Sequence, residues 1–457
     1  MMRMKMKILL VQADRDAGTF NTFTAAFFIP SIALEQVAAC TPQGHEITTV
    51  NEWYGKVDTG IDCDIVGISA FTKDAFRAYT IADEFRARGI PVVLGGYHPT
   101  AMPQEAKQHA DAVVMGEAEV AWPKLLEDVE KGRLKEFYGG KKVDGGTIPP
   151  ARRDLNGYHS FFAAVQATRG CPYKCEFCQM TGFGDTLHRK RNVAEVVREI
   201  ERIPHRIFWF HDASLTINPR YTKILFREMI ERGIRKKWIA FGNAAVLSRD
   251  EEFLKLAKRA GCVAWMVGLE SISQKALDEE VKKGGNTTEK IPKTIEKIEK
   301  EGMEVWASFI FGFDNDSPDV FDATFEKLNE WGIKVAEFNI LTPFPKTPLF
   351  HRMLGENRIF SMDWSKYDLN HVVFIPRQME VRELEEGIRK LYRTFFSVSQ
   401  IMRRVYAAPH VENKFFTLVA NCAIKKFTGL NLQHWDGGMH NEGIAGYAID
   451  KGKSHPV

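Results

Sequence analysis

The chain has 457 residues, is 44% hydrophobic and 26% charged, and carries a formal net charge of +3. That composition suits a soluble globular chain with two or three cores, and so small a charge makes no case for nucleic acid or an anionic membrane. No stretch reaches the roughly 18 apolar residues of a transmembrane helix, and seven cysteines, few and odd in number, argue for a reducing compartment, the cytoplasm, over a disulfide framework.

Taken in chain order, the N-terminus MMRMKMKILLVQAD puts basic residues before an apolar run too short for a signal peptide, so it reads as a buried strand. Strands are predicted at KILLVQA (7–13), EITTV (46–50), DIVGISA (64–70), PVVLGG (91–96) and AVVMGE (112–117). Helices begin near Ile32, Asp74 and Ala118, with a shorter turn near Pro103. This alternation predicts a doubly wound, Rossmann-like parallel sheet, which binds ligands beyond the carboxyl ends of its strands. The Gly-, Pro- and charge-rich stretch 131–160 supplies a linker, drawn at 136–160, after a first domain of residues 1–135.

A second alternation follows. Strands read FFAAVQA (161–167), RIFWF (206–210), WIAFGN (238–243), VAWMVGLE (263–270), EVWASFIFGF (304–313) and VAEFNILTPF (335–344). Helices fill the gaps at Ala194–Ile203, Tyr221–Arg232, Asp250–Ala260, Pro292–Glu301 and Pro318–Trp331, with Asn192, Ser248 and Ser317 as expected N-caps. These units predict a partial (β/α)6 barrel over 161–375, followed by a C-terminal helical region over 376–457.

The stretch CPYKCEFC places Cys171, Cys175 and Cys178 directly after the first barrel strand, where barrels keep their chemistry. A structural zinc site wants four ligands, and only His188 is near. Three thiolates on an iron–sulfur cluster instead leave one iron open, as catalysis requires; a zinc clip is the competing reading. Cys40, Cys63, Cys262 and Cys422 read as small core residues.

C-x-x-x-C-x-x-C in this position resembles the radical S-adenosylmethionine (SAM) enzymes. The resemblance implies a 4Fe-4S cluster whose open iron chelates SAM, and reductive cleavage to a 5′-deoxyadenosyl radical. It places Phe177 near adenine, although ordinary core packing explains that residue equally well. Where the family carries Gly-Gly-Glu after its second strand, this chain has FHDASLT, so Asp212 and Ser214 are expected to hold the methionine amino group. Asn243 is expected at the ribose or the methionine carboxylate, Glu270 at the ribose, and Gly312 where backbone approaches adenine. TPFPKTPLF (342–350) closes the sixth strand.

The preceding sheet resembles the cobalamin-binding subclass through VGISAFT, VVLGGYHPTAMP and VVMGEAEVAWPKLL. That resemblance implies cobalamin contacts from Ser69, Phe71, Thr72, Gly95, Gly96, Tyr97, His98, Gly116, Glu117 and Glu119. Many such sheets ligate cobalt through Asp-x-His-x-x-Gly, but the first strand here ends QADRDAGTFNTF, without histidine, and His45 reads as a surface residue. Cobalamin is therefore expected without a histidine lower ligand. Nitrogen superhyperfine splitting from a protein imidazole in the cob(II)alamin electron paramagnetic resonance (EPR) spectrum would refute that.

The subclass implies C-methylation of an unactivated carbon: one SAM methylates the corrin, a second yields the radical, and the substrate radical takes the methyl group. The scheme needs no acid–base pair and none is assigned. It requires the ISAFT and GGYHPT loops to face Cys171, and an electron donor such as a flavodoxin or ferredoxin. Cyclisation, rearrangement or oxidation of a lipid or tetrapyrrole with the same cofactors is the alternative; a cofactor-binding module without turnover is a third reading. A protein or peptide substrate, such as a glutamine of methyl-coenzyme M reductase, or a lipid is expected. The apolar, basic-punctuated region 386–432 reads as a substrate surface or as helices packed over the barrel, and Trp435 with the tail 437–446 as a lid or a frayed end.

Overall fold

The computed structural model describes residues 5–17, 31–155, 160–281 and 287–433; Trp435 and the tail 437–446 lie outside them. Two six-stranded parallel sheets dominate the molecule. The first has the order β2-β1-β3-β4-β5-β6: β1 Lys7–Gln12, β2 Glu46–Asn51, β3 Ile65–Ser69, β4 Val92–Gly95, β5 Ala112–Met115 and β6 Phe137–Gly139. β6 falls inside the stretch read as linker. Its three residues pair with β5, too few for any alternation to show in the sequence.

β1 explains why this sheet is covered on both sides. Ile8 and Leu10 pack into one apolar cluster with Trp122 and Leu125, while Leu9 and Val11 face another with Ile81 and Phe85. Successive side chains point to opposite faces, so a continuous apolar run marks a strand buried on both. The order reverses between β1 and β3, which sets the switch crevice beside Ala13 and Ser69. His45 departs from expectation: its imidazole is buried, with Nδ1 accepting from the Met6 N–H at 3.3 Å, and it precedes β2 at the far, amino end of the sheet.

The second sheet has the order β14-β13-β12-β11-β10-β7: β7 Phe162–Val165, β10 Ile207–Phe210, β11 Lys237–Gly242, β12 Cys262–Glu270, β13 Glu304–Phe311 and β14 Val335–Ile340. β7 and β14 are its two edges, so the barrel is partial. A two-residue antiparallel ribbon, β8 Thr168–Arg169 with β9 Arg189–Lys190, brackets the cysteine loop. Alternate residues Trp209, Ile239, Ala264 and Met266 fill the barrel interior, joined from below by Phe416.

Asn192 caps its helix as expected, its Oδ1 accepting from the N–H groups of Ala194 and Glu195. Ser248 and Ser317 do not: Asp250 caps the helix Glu251–Arg259 through the Phe253 N–H, and Asp319 is the residue before the helix Val320–Glu330. Asp250 takes the orphan N–H that Ser248 was expected to take, whereas Asp319 makes no side-chain cap bond and only adds negative charge at the helix start. The helices Val381–Phe395, Val398–Ala407 and Val411–Gln433 carry no strand, and the last reaches under the amino ends of the barrel strands. Cys63 and Cys262 are core residues, but Cys40 is half-buried and Cys422 exposed. Among the described residues no helix is long and apolar enough to cross a membrane.

Candidate functional site

The cysteine loop begins where β8 ends. Gly170 has φ +87°, and a Cβ there would lie 2.1 Å from the Leu187 carbonyl oxygen, so only glycine fits. The Cys171 N–H donates to the Asp185 carbonyl at 2.9 Å and the Cys178 N–H to that of Cys175 at 3.1 Å, folding the three thiols into one loop without a disulfide. The loop after β14 is stitched to it, the Leu349 N–H donating to the Glu176 carbonyl at 3.1 Å. Three thiols on one closed loop, with Cys171 and Cys178 partly open, suit three corners of an iron–sulfur cluster.

Asn243 and Glu270 stand at the carboxyl ends of β11 and β12. Asn243 is 2% exposed; its Oδ1 caps the next short helix through the Ala245 N–H at 2.9 Å, and its Nδ2 has no partner. A buried donor left unsatisfied is costly, so the amide suits a bound acceptor such as a carboxylate or ribose oxygen. Glu270 has φ +64° and follows a register shift between β12 and β13, which re-aims its side chain. Phe177 packs edge-on to Phe313 with ring centroids 6.2 Å apart.

Other expected SAM contacts point elsewhere. Asp212 is 2% exposed, and its carboxylate accepts from the Ala167 N–H at 3.2 Å, the Thr168 N–H, and the Thr168 Oγ1 at 2.5 Å. Burial raises its pKa to about 6 against those bonds. It ties down the strand leading to the cysteines. Ser214 Oγ pairs with Thr216 Oγ1 at 2.9 Å. Gly312 is buried, and a Cβ there would meet Phe374 and Leu384, so it backs onto core.

On the other sheet, Ser69, Phe71, Gly95, Gly96 and Gly116 line the carboxyl ends of β3, β4 and β5 and are at least partly open; Phe71 is 38% exposed. Small and aromatic residues thus stand open where a doubly wound sheet takes its ligand. The missing Cβ of Gly96 (φ +94°) would fall 2.9 Å from the Ala70 carbonyl oxygen, so this glycine serves its own turn. Thr72 is buried. His98 is fully buried, Nε2 3.2 Å from Glu105, with its ring against Trp364. Glu117 and Glu119 turn toward the barrel and pair with Arg169 and Arg189. Burial works to neutralise Glu117, but hydrogen bonds from Arg189 and the Val143 N–H, with the field of Arg169, hold its pKa below the ordinary range.

The two sheet ends meet at Tyr97. Its ring stacks on Phe71 (5.6 Å between centroids) and leans on Phe183 of the cysteine loop (5.3 Å), and its hydroxyl donates to Met180 Sδ at 3.8 Å. Burial raises its pKa, and the nearby Cys178 adds to that.

Sequence reasoning missed several polar side chains. Ser308 Oγ donates to Glu337 Oε1 at 2.9 Å, Asn339 Nδ2 lies 3.3 Å from both, and His211, just past β10, donates its N–H to the Val165 carbonyl at 2.7 Å. Burial raises the pKa of Glu337 and lowers that of His211. The signal was present: VAEFNI alternates polar with apolar residues on a strand. At the end of β1, Arg15 pairs with Asp368 at 2.5 Å, and His371 Nδ1 lies 3.0 Å from the same carboxylate.

A partial barrel carrying a three-cysteine loop, facing a doubly wound sheet, defines a radical SAM enzyme with a corrin-binding domain. Residues 165–328 match the model of the radical SAM superfamily and residues 18–126 that of the B12 binding domain. The chain is 32% identical over 378 residues to bacteriochlorophyllide d C-12(1)-methyltransferase of Chlorobaculum tepidum, spanning 80% of this chain and 82% of that one. It is 32% identical over 430 residues to the C-8(2)-methyltransferase of the same organism, spanning 89% and 93%. The cobalamin-dependent SAM radical enzyme OxsB, solved with aqua-cobalamin and SAM, shares the fold with a TM-score of 0.67 and 14% identity over 94% of this chain and 72% of that one. The chain belongs to the cobalamin-dependent radical SAM methyltransferase family. It is an enzyme of that kind, and its cofactors are a 4Fe-4S cluster, SAM and cobalamin.

Proposed function

We propose that the protein methylates an unactivated carbon of a tetrapyrrole-class substrate held between its two sheets. The observation that supports this is the meeting of the sheet ends at Tyr97, which touches both Phe71 and the cysteine loop. When bound, SAM at the cluster supplies a 5′-deoxyadenosyl radical and the corrin supplies the methyl group.

The chain's own residues hold and shield. Cys171, Cys175 and Cys178 hold the cluster; Asn243, Glu270 and Phe177 take SAM; Ser69, Phe71, Gly95, Tyr97 and Gly116 cradle the corrin. The Phe71–Tyr97–Phe183 wall shields a carbon radical from dioxygen and other quenchers from outside. A flavodoxin or ferredoxin supplies electrons. The substrate class rests on the names of the two Chlorobaculum tepidum relatives; a peptide side chain, such as the methyl-coenzyme M reductase glutamine, is the competitor.

The test is anaerobic turnover with methyl-labelled SAM, offering a bacteriochlorophyllide and a glutamine peptide in parallel. Label in the tetrapyrrole, with one 5′-deoxyadenosine and one S-adenosylhomocysteine per methyl group, is expected. Deoxyadenosine with unlabelled, cyclised or oxidised product overturns methylation, and label in the peptide alone overturns the substrate class.

A further inference from the structure

β8 and β9 place Arg169 directly opposite Arg189. Like charges facing each other across an antiparallel pair repel, and this ribbon brackets the loop that bears all three clustered cysteines. Two of the three compensating carboxylates, Glu117 and Glu119, come from the corrin-binding domain; the third, Asp185, belongs to the loop itself. Arg169 reaches Glu119 at 2.8 Å and Glu117 at 3.5 Å; Arg189 reaches Glu117 at 2.7 Å and Asp185 at 2.7 Å. Glu117 also accepts from the Val143 N–H at 2.7 Å, and Arg189 donates to the Val143 carbonyl at 2.9 Å. Among the described residues of the barrel, the Arg169 side chain has one further bond, Nε to Gln166 Oε1 at 3.1 Å. The five charged side chains are 6–14% exposed, so water screens them little. At the loop's far side, Tyr97 of the same corrin-binding sheet touches Met180 and Phe183.

We propose that the corrin-binding domain completes the cysteine loop electrostatically, with Arg169 as the positioning residue that Glu117 and Glu119 hold in place. Without those carboxylates the two guanidinium groups push the ribbon apart, and the loop between them loses its shape. The inference rests on Cys171, Cys175 and Cys178 as cluster ligands, but its first readout needs no cluster, substrate or methyl transfer, so it can fail separately from the proposed reaction.

That readout is amide hydrogen exchange on the full-length, cofactor-free protein. In Glu117→Gln/Glu119→Gln, amides of 168–190 are expected to exchange about tenfold faster, with β10 to β13 unchanged. After anaerobic reconstitution the variant retains roughly half the iron or less, as when an outer partner of a metal ligand is lost, and its reduced-cluster EPR g values shift. Arg169→Lys keeps the charge but not the fork and falls between. Wild-type protection of 168–190 with unaltered g values overturns the proposal, even if Tm drops. If the double variant fails to fold, Arg169→Lys decides: faster exchange confined to 168–190 supports it, and wild-type exchange overturns it.

Discussion

The two ends of the barrel are built from the same six strands but differ in how far distant helices cover their polar groups. At the amino end the helix Val411–Gln433 supplies partners: Asn413 Nδ2 donates to Glu304 Oε1 at 2.7 Å, and Asn421 Nδ2 to the Lys334 carbonyl at 2.9 Å. Arg404 joins them, bonding Asn421 Oδ1 at 2.7 Å and the Lys334 carbonyl at 3.1 Å. At the carboxyl end the Asn243 amide lacks a partner and Glu270 sits in left-handed backbone. The amino-end groups bond one another, with Glu304 Oε2 left over; at the carboxyl end Asp212 is claimed by the Ala167 and Thr168 N–H groups while the Asn243 amide stays open. Within 386–432, Arg404, Asn413 and Asn421 pack beneath the barrel and Tyr392 bonds the Phe338 backbone beside it, while Tyr406, Val411 and Phe415 stay exposed.

Substitutions at each end should separate the two roles. Cys175→Ala is expected to abolish deoxyadenosine formation and cluster absorbance while leaving the apoprotein Tm nearly unchanged; a large fall in Tm would make the loop a fold determinant and break the contrast. Glu304→Gln acts at the other end. Burial raises Glu304 from 4.5 to about 7, against Lys334 and Asn413. The folded state therefore holds this proton where the unfolded state releases it, and stability falls as pH rises from about 4.5 to about 7. The glutamine variant should remove that slope, worth up to about 3 kcal/mol, with unaltered cluster spectra; denaturant titrations across pH check it. Asn243→Asp keeps the helix cap but deletes the amide donor, so SAM affinity by equilibrium dialysis should fall about tenfold with little change in stability. Unchanged affinity would move Asn243 to the structural side of the ledger.

Much of this was legible in the sequence because strand–helix alternation and the cysteine spacing are local patterns. Both sheets, the loop position and Asn192 as a cap follow from neighbours within a few residues. What was hidden depends on distant partners. Asp212 looked like a ligand because it follows a barrel strand, yet the Ala167 and Thr168 N–H groups and the Thr168 hydroxyl claim it. Glu117 and Glu119 looked like corrin contacts because they follow a Gly at a strand end, but Arg169 and Arg189, some fifty to seventy residues later, take them. His98 lies in an inviting loop and is sealed by Trp364, far along the chain. Glu337 and Asn339 carried a readable alternation; only their meeting with Ser308 was out of sight.

Glu270 carries a consequence of its own. A left-handed backbone costs a non-glycine residue about 1–2 kcal/mol, so glycine there should relax the main chain while deleting the carboxylate. Thermal tolerance and cosubstrate retention would then move in opposite directions from a single codon. Anyone hardening this protein for use would find that position a tempting and self-defeating choice.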